Sequence, residues 1–241
     1  MKSIWKLITS ITMIAGASIA LTACGSVVVK TPASEPVVNK TLTTKTFDKI
    51  DVNLDDADIE IRSASKPEVV YHGAKKGRIV AKVRGSELKV YSSNKVGIHV
   101  EEEPTVIIYV PNKRLSALTI RSADGDVDID ELSTEQVMIN TADGDVTIRH
   151  LDVNKGKIDS ADGDVKLLNL KSKSGFDIST SDGDISVNGT NATGYYLATN
   201  DGDIRFKGTY MTNTDSGLVK RKINSRNVLR ASTSDGDIKV N

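Results

Sequence analysis

From about Thr44 to the C-terminus, apolar residues stand two apart in short bursts, and each burst breaks at a polar corner. The clearest corners are one tripeptide written six times: Asp124-Gly125-Asp126, Asp143-Gly144-Asp145, Asp162-Gly163-Asp164, Asp182-Gly183-Asp184, Asp201-Gly202-Asp203 and Asp235-Gly236-Asp237. Six residues before each first Asp stand Leu118, Val137, Gly156, Phe176, Tyr195 and Leu229; four before it stand Ile120, Ile139, Ile158, Ile178, Leu197 and Ala231. Three after it come Val127, Val146, Val165, Ile185, Ile204 and Ile238; five after it come Ile129, Ile148, Leu167, Val187, Phe206 and Val240. A period of two on both sides of a turn predicts two short strands per copy, each with one buried face. Thr119, Asn140, Asp128, Lys166 and Arg205 fall between the apolar positions and are expected to face water.

The copies are spaced 19, 19, 20, 19 and 34 residues apart. A period near 19 marks a repeat protein, in which one unit is stacked many times. Six copies of a motif also argue against its being a single active site. Two residues before each first Asp there is always a hydroxyl: Ser122, Thr141, Ser160, Thr180, Thr199 and Thr233. Its parity places it on the buried face, where it can bond a corner backbone group that lacks a strand partner; β-propensity alone is the plainer explanation. The corner Gly fits a left-handed backbone, and the Asp side chains can bond nearby amides.

Weaker units precede these. One centres on Asp56, with Ile50, Val52, Leu54, Ile59 and Ile61 and with Ala57 in the Gly position. A second centres on Gly85, between Ile79, Ala81, Val83 and Leu88, Val90. A third runs through Val96, Ile98 and Val100 to Val106, Ile108 and Val110, with a wider corner. Together they predict an all-β, right-handed β-solenoid of about nine short coils. The alternative is an antiparallel hairpin meander or sandwich, with each Asp-Gly a two-residue turn. Like residues at like positions favour stacking, and 4% aromatic content is thin for a two-sheet core. Stacked carboxylates would repel by about 1 kcal/mol per neighbouring pair, less than the roughly 1.5–3 kcal/mol from each buried aliphatic side chain. A cation or backbone amides would relieve the repulsion. The strand pattern runs to the last residues, Ile238–Asn241, which suggests an open edge able to associate end to end.

The N-terminus reads differently. Lys2 and Lys6 precede an apolar run from Leu7 to Leu21, which ends in Leu21-Thr22-Ala23-Cys24-Gly25. This is the form of a bacterial export signal closed by a lipobox, with residues 1–23 removed and acyl chains, palmitate among them, carried by Cys24. Two acyl chains at about 0.8 kcal/mol per buried methylene hold a protein on a bilayer. Cys24 is the only cysteine, so the chain has no disulfide framework. Loss of Lys2 and Lys6 takes two positive charges from a chain with 32 basic and 32 acidic residues, leaving a net −2. Residues 24–43, with Ser26, Pro32, Ser34 and Pro36, are expected to be a flexible tether, and 44–241 the folded domain on the extracytoplasmic face of the cell membrane.

Several chemistries can be weighed. Calcium takes carboxylate and carbonyl oxygens, which rows of Asp supply, but the nine-residue calcium repeat and the EF-hand loop are both absent. Glycan cleavage needs two carboxylates in distinct environments, and these are near-copies of one another. His72, His99 and His150 lack metal-ligand spacing. The long 34-residue interval instead implies an insertion over about 209–227 that carries Lys220, Arg221, Lys222 and Arg226, with Arg230 just beyond. An insertion projects on one face of a solenoid, often the binding face, and its cations suit an anionic envelope polymer, anionic lipid or an acidic surface protein. A solvated loop of ordinary charge is the alternative. Nucleic acid is a poor partner for a chain neutral overall.

The repeated strand–Ser/Thr-x-Asp-Gly-Asp–strand pattern, the segment Val106-Ile107-Ile108-Tyr109-Val110-Pro111 and the lipobox together resemble the bacterial putative-adhesin domain family of unknown function. The resemblance covers roughly Thr44 to Asn241 and lies in the number of copies. It implies a β-solenoid surface domain without enzymatic activity, in some relatives linked to envelope-stress sensing, and it brings no binding residues to carry over. The basic insertion lies outside the pattern. The expectation is a lipid-anchored binding or scaffold protein. The alternatives are a purely structural or envelope-stress lipoprotein and, further off, a glycan-active β-helix enzyme.

Overall fold

The computed structural model describes residues 36–75, 79–93, 104–210 and 217–241, and every regular element among them is a strand. In chain order these are β1 (Val37–Thr43), β2 (Lys49–Leu54), β3 (Asp58–Ala64), β4 (Glu68–Ala74), β5 (Ile79–Arg84), β6 (Glu87–Ser92), β7 (Thr105–Pro111) and β8 (Ala117–Ser122). Then come two long bent strands, β9 (Val127–Asn140) and β10 (Val146–Asp159), followed by β11 (Val165–Leu167), β12 (Leu170–Ser172), β13 (Phe176–Ser179) and β14 (Ile185–Val187). The last are β15 (Gly194–Thr199), β16 (Ile204–Phe206), β17 (Thr209–Tyr210), β18 (Gly217–Arg221), β19 (Val228–Thr233) and β20 (Ile238–Val240).

Each Asp-Gly-Asp corner joins a strand in one ladder to a strand in a second. The first ladder runs β5, β6, β2, β8, the end of β9, the end of β10, β13, β19, β15, β18. The second runs β1, β4, β7, β3, the start of β9, the start of β10, β11, β14, β20, β16, β17. The interior pairings are parallel, so like units lie in register in a β-solenoid-like stack, as the repeat predicts. A short third face stacks Leu132, Leu151 and Leu170.

Register turns the sequence pattern into columns. Val52, Ile120, Ile139, Ile158, Ile178, Ala231 and Leu197 follow one another up the first ladder. Ile59, Val127, Val146, Val165, Ile185, Ile238 and Ile204 do so up the second. All are buried, most of them completely. The odd member of the outer column is explained by its neighbour: a Cβ on Gly156 would lie 2.3 Å from the Phe176 ring, so the ring fills the space that the glycine leaves.

Spatial order departs from chain order at both ends. The final unit, β19–β20, lies between β13–β14 and β15–β16. The first, β2–β3, lies between β6–β7 and β8–β9. The C-terminal strand is therefore paired on both sides, and the open edge expected at Ile238–Asn241 does not exist.

The ends of the ladders close with antiparallel strands, the hairpin geometry weighed as the alternative. The unit around Gly85 is a hairpin and not a coil: Arg84 faces Glu87, and Gly85, at φ +60°, supplies the positive φ of a two-residue turn. Val37–Thr43, expected within the tether, pair with β4 instead and cover its otherwise unpaired edge. Val96, Ile98, Val100 and His99 lie outside the described residues, as does everything before Pro36.

Candidate functional site

The acidic corners are built by stacking. Gly125, Gly144, Gly163, Gly183, Gly236 and Gly202 form a column that continues from Ala57. A Cβ on any of these glycines would sit 2.1–2.2 Å from the carbonyl oxygen of the residue stacked on it. None of them has a positive φ, so the left-handed backbone expected at the corner is not what selects glycine. Close approach of one backbone to the next selects it.

The second Asp of every corner but the last in the stack, Asp203, accepts a hydrogen bond from the next. The backbone N–H of Asp126 donates to Asp58 Oδ1 at 3.0 Å, Asp145 to Asp126 at 2.9 Å, Asp164 to Asp145 and Asp184 to Asp164 at 2.8 Å. The run continues through the inserted unit: Asp237 donates to Asp184 at 2.7 Å, and Asp203 to Asp237 at 2.8 Å. Amides thus offset the repulsion along the row. The first aspartates, Asp124, Asp143, Asp162, Asp182, Asp201 and Asp235, are exposed beside it. The hydroxyls act as the parity predicts: Thr180 Oγ1 donates to Ala161 O at 2.9 Å and accepts from Gly183 N–H at 3.2 Å, and Thr233 repeats both roles with Ser181 O and Gly236 N–H. Among the described residues, no three His, Cys, Asp or Glu side chains converge as a metal-binding group.

Beside the corners, the outer face of the second ladder carries an ion-pair network. Arg149 Nη1 lies 2.5 Å from Asp128 Oδ1 and 2.9 Å from Asp130 Oδ1, and Arg62 adds Glu60 at 3.1 Å and Asp128 at 3.4 Å. Burial works to raise the Asp128 carboxyl, but hydrogen bonds from Arg149 and Arg62 outweigh it and hold the group below the usual carboxylate range. His72 meets Asn39 at 2.6 Å and His150 meets Asn169 at 3.3 Å, each in its own part of the fold.

The basic residues take a different place from the one expected. In the described parts of this segment, β17 and β18 run antiparallel to β16 and β15 and cover the last edge of each ladder. An unpaired strand edge attracts other chains, and lysines on a covering strand discourage that. Lys220, Arg221, Lys222, Arg226 and Arg230 are all exposed. Lys220 and Arg230 flank Tyr196 on the outward face, with the Lys220 ammonium 5.5 Å from the ring centroid. Arg230 reaches Asp177 at 4.0 Å.

After β18 the chain turns, with Ser225 N–H donating to Lys222 O at 2.9 Å and Lys222 at φ +45°. The turn sits hard on its neighbour, since a Cβ on Gly194 would lie 2.3 Å from Lys222 O. Behind it, buried Asn227 donates to Ser172 O at 2.8 Å and accepts from Ser172 Oγ at 2.7 Å. The sequence reading missed Tyr196, Leu218, Ile223 and Asn227. A signal existed for the first: Tyr196 is an aromatic at a repeat position whose parity faces water.

These features define a β-solenoid-like protein with an amide-bonded acidic corner row and a basic cap on one end. The chain belongs to the family described as Toastrack DUF4097, whose model matches residues 47–241. No curated protein matches it. Among solved structures it is similar to a "putative cell adhesion protein" from Clostridium sporogenes, at 14% identity and TM-score 0.46 over 85% of this chain and 97% of that one. A "putative adhesin" from Bacteroides fragilis has 14% identity and TM-score 0.43 over 86% and 97% of the two chains. Another from Parabacteroides distasonis has 14% identity and TM-score 0.42 over 86% and 98%.

Proposed function

We propose that this protein is a non-enzymatic binding or scaffold module, held by acylated Cys24 on the outer face of a bacterial membrane and meeting an anionic partner through its basic cap. The observation that carries the reading is the placement of the cations. Lys220 and Arg221 on β18, Lys222 and Arg226 in the turn that follows it, and Arg230 on β19 are all exposed at the last strands of the first ladder. The chain enters the ladders at β1, at their opposite end. Ten strand-to-strand steps of about 4.8 Å separate β1 from β17. A purely structural envelope lipoprotein is the second reading, favoured by corners whose hydrogen bonds are spent on stacking.

Two experiments test it. Cys24→Ser should abolish metabolic labelling with palmitate and move the protein out of the membrane fraction. The triple change Lys220→Glu, Arg221→Glu, Lys222→Glu should abolish retention of residues 25–241 on envelope fractions; unchanged retention removes the basic cap as the contact surface.

A further inference from the structure

Four large apolar residues are exposed among the described residues: Val37, Met138, Leu218 and Ile223. Two of these, Leu218 at 42% and Ile223 at 40%, lie within the basic cap. Leu218 shares the outward face of β18 with Lys220, since it faces Ala198 two places along from the Lys220–Tyr196 pair. Ile223 is a central residue of the turn closed by Ser225 N–H and Lys222 O, a position usually held by a turn-forming polar residue. It is bracketed by Lys222 and Arg226. The hydrogen bonds of Asn227 and the close fit on Gly194 present this turn on a fixed base.

Cations alone would suit any polyanion. Aliphatic side chains held outward among them suit one kind more than the rest. An anionic bilayer offers phosphate headgroups for the cations and an apolar layer just beneath for the aliphatics, with a half-buried tyrosine at the boundary. A soluble anionic polymer offers nothing to Leu218 or Ile223. We infer that the β18 strand and its turn dock on an anionic phospholipid surface, with Ile223 and Leu218 entering the headgroup boundary. The inference rests on the basic cap being the contact surface.

The test uses residues 25–241, which lack the acyl anchor but keep every core residue, all of them between Phe47 and Val240. Vesicles of phosphatidylglycerol and phosphatidylcholine in equal parts should sediment the protein, and pure phosphatidylcholine vesicles should not. Leu218→Ser with Ile223→Ser should lower the partition onto anionic vesicles about tenfold, with an unchanged melting temperature because both side chains are exposed. Trp5 is the only tryptophan and is absent from this form, so Ile223→Trp supplies a single reporter whose emission should shift to the blue on anionic vesicles. If charge reversal at Lys220, Arg221 and Lys222 abolishes vesicle binding while the aliphatic pair has no effect, bilayer entry is overturned and the cationic surface survives. Retention on polyphosphate without vesicle binding has the same meaning. Failure on vesicles, polyphosphate and envelope fractions alike overturns both readings.

Discussion

Gly236 stacks directly on Gly183, so close that a Cβ on Gly236 would lie 2.2 Å from the Gly183 carbonyl oxygen. The two are 53 residues apart in the chain, and the unit next in sequence, with Gly202, lies on the far side of Gly236. One contact thus records both why the corner is glycine and where the last unit inserts.

Gly183→Ala should be costly because its Cβ would meet backbone, 2.2 Å from Gly163 O, which no rotamer change relieves. Overpacking of this kind costs about 1–3 kcal/mol or more, a fall of several degrees in melting temperature. Gly208→Asn is the control. Gly208 has φ +77° with open space around it, and Asn tolerates that backbone. Its melting temperature should stay near that of the wild type.

The two aspartates of a corner are not equivalent. Asp184→Ala removes the acceptor for Asp237 N–H, whereas no described hydrogen bond reaches the Asp182 carboxylate. Thermal denaturation should therefore rank Asp184→Ala well below Asp182→Ala, with Asp184→Asn between them because its amide oxygen still accepts. Equal melting temperatures for the two alanine variants would remove the amide row as a stabilising feature.

Calcium should leave the melting temperature unchanged. The inner carboxylates from Asp126 to Asp237 already serve stacked amides. A rise in millimolar calcium that a chelator reverses would instead reveal ion sites on the exposed outer row.

Acid should weaken the Asp128 network. A carboxyl held below its unfolded value contributes stability that is present above that value and lost as pH falls through the folded one. The loss therefore begins below about pH 4. Glu87 behaves alike, lowered first by its hydrogen bond from Lys49. Melting temperatures followed downward from about pH 5 should fall more steeply for wild type than for Asp128→Asn, which starts lower and changes less.

Ending the chain at Asn227 should do far more than trim a terminus. It removes Leu229, Ala231, Ile238 and Val240 from inside both ladders, where β15 and β16 stack beyond them, each buried at 1% exposure or less. At roughly 1.5–3 kcal/mol for each large aliphatic lost, the change rivals the whole stability of a typical domain. Circular dichroism should show loss of cooperative melting. A truncated chain that melts like the full one would contradict the inserted position of β19–β20.

The columns were legible in the sequence because stacking rewards identity: Ile139, Ile158 and Ile178 repeat since each is the floor of the next. The hydroxyl two places before the corner was legible by parity alone. Gly85 misled because a glycine between alternating strands fits a coil corner and a hairpin equally, and only the pairing partner separates them. Val37–Thr43 read as tether because an edge strand with mostly exposed side chains has no apolar period to announce it. Leu218 and Ile223 were lost in a segment read for its charge, since exposure is not a property of a residue's type.

By itself, the sequence determined the unit: which residues alternate, where the corner falls and which side is buried, all set by local periodicity and by chemistry repeated at fixed spacing. Only the tertiary structure decided the order of the units and the closure of their ends. Near-identical units stack almost equally well on one another, so periodicity is blind to sequence order, and unpaired backbone at the ends is satisfied by whichever segment can reach it.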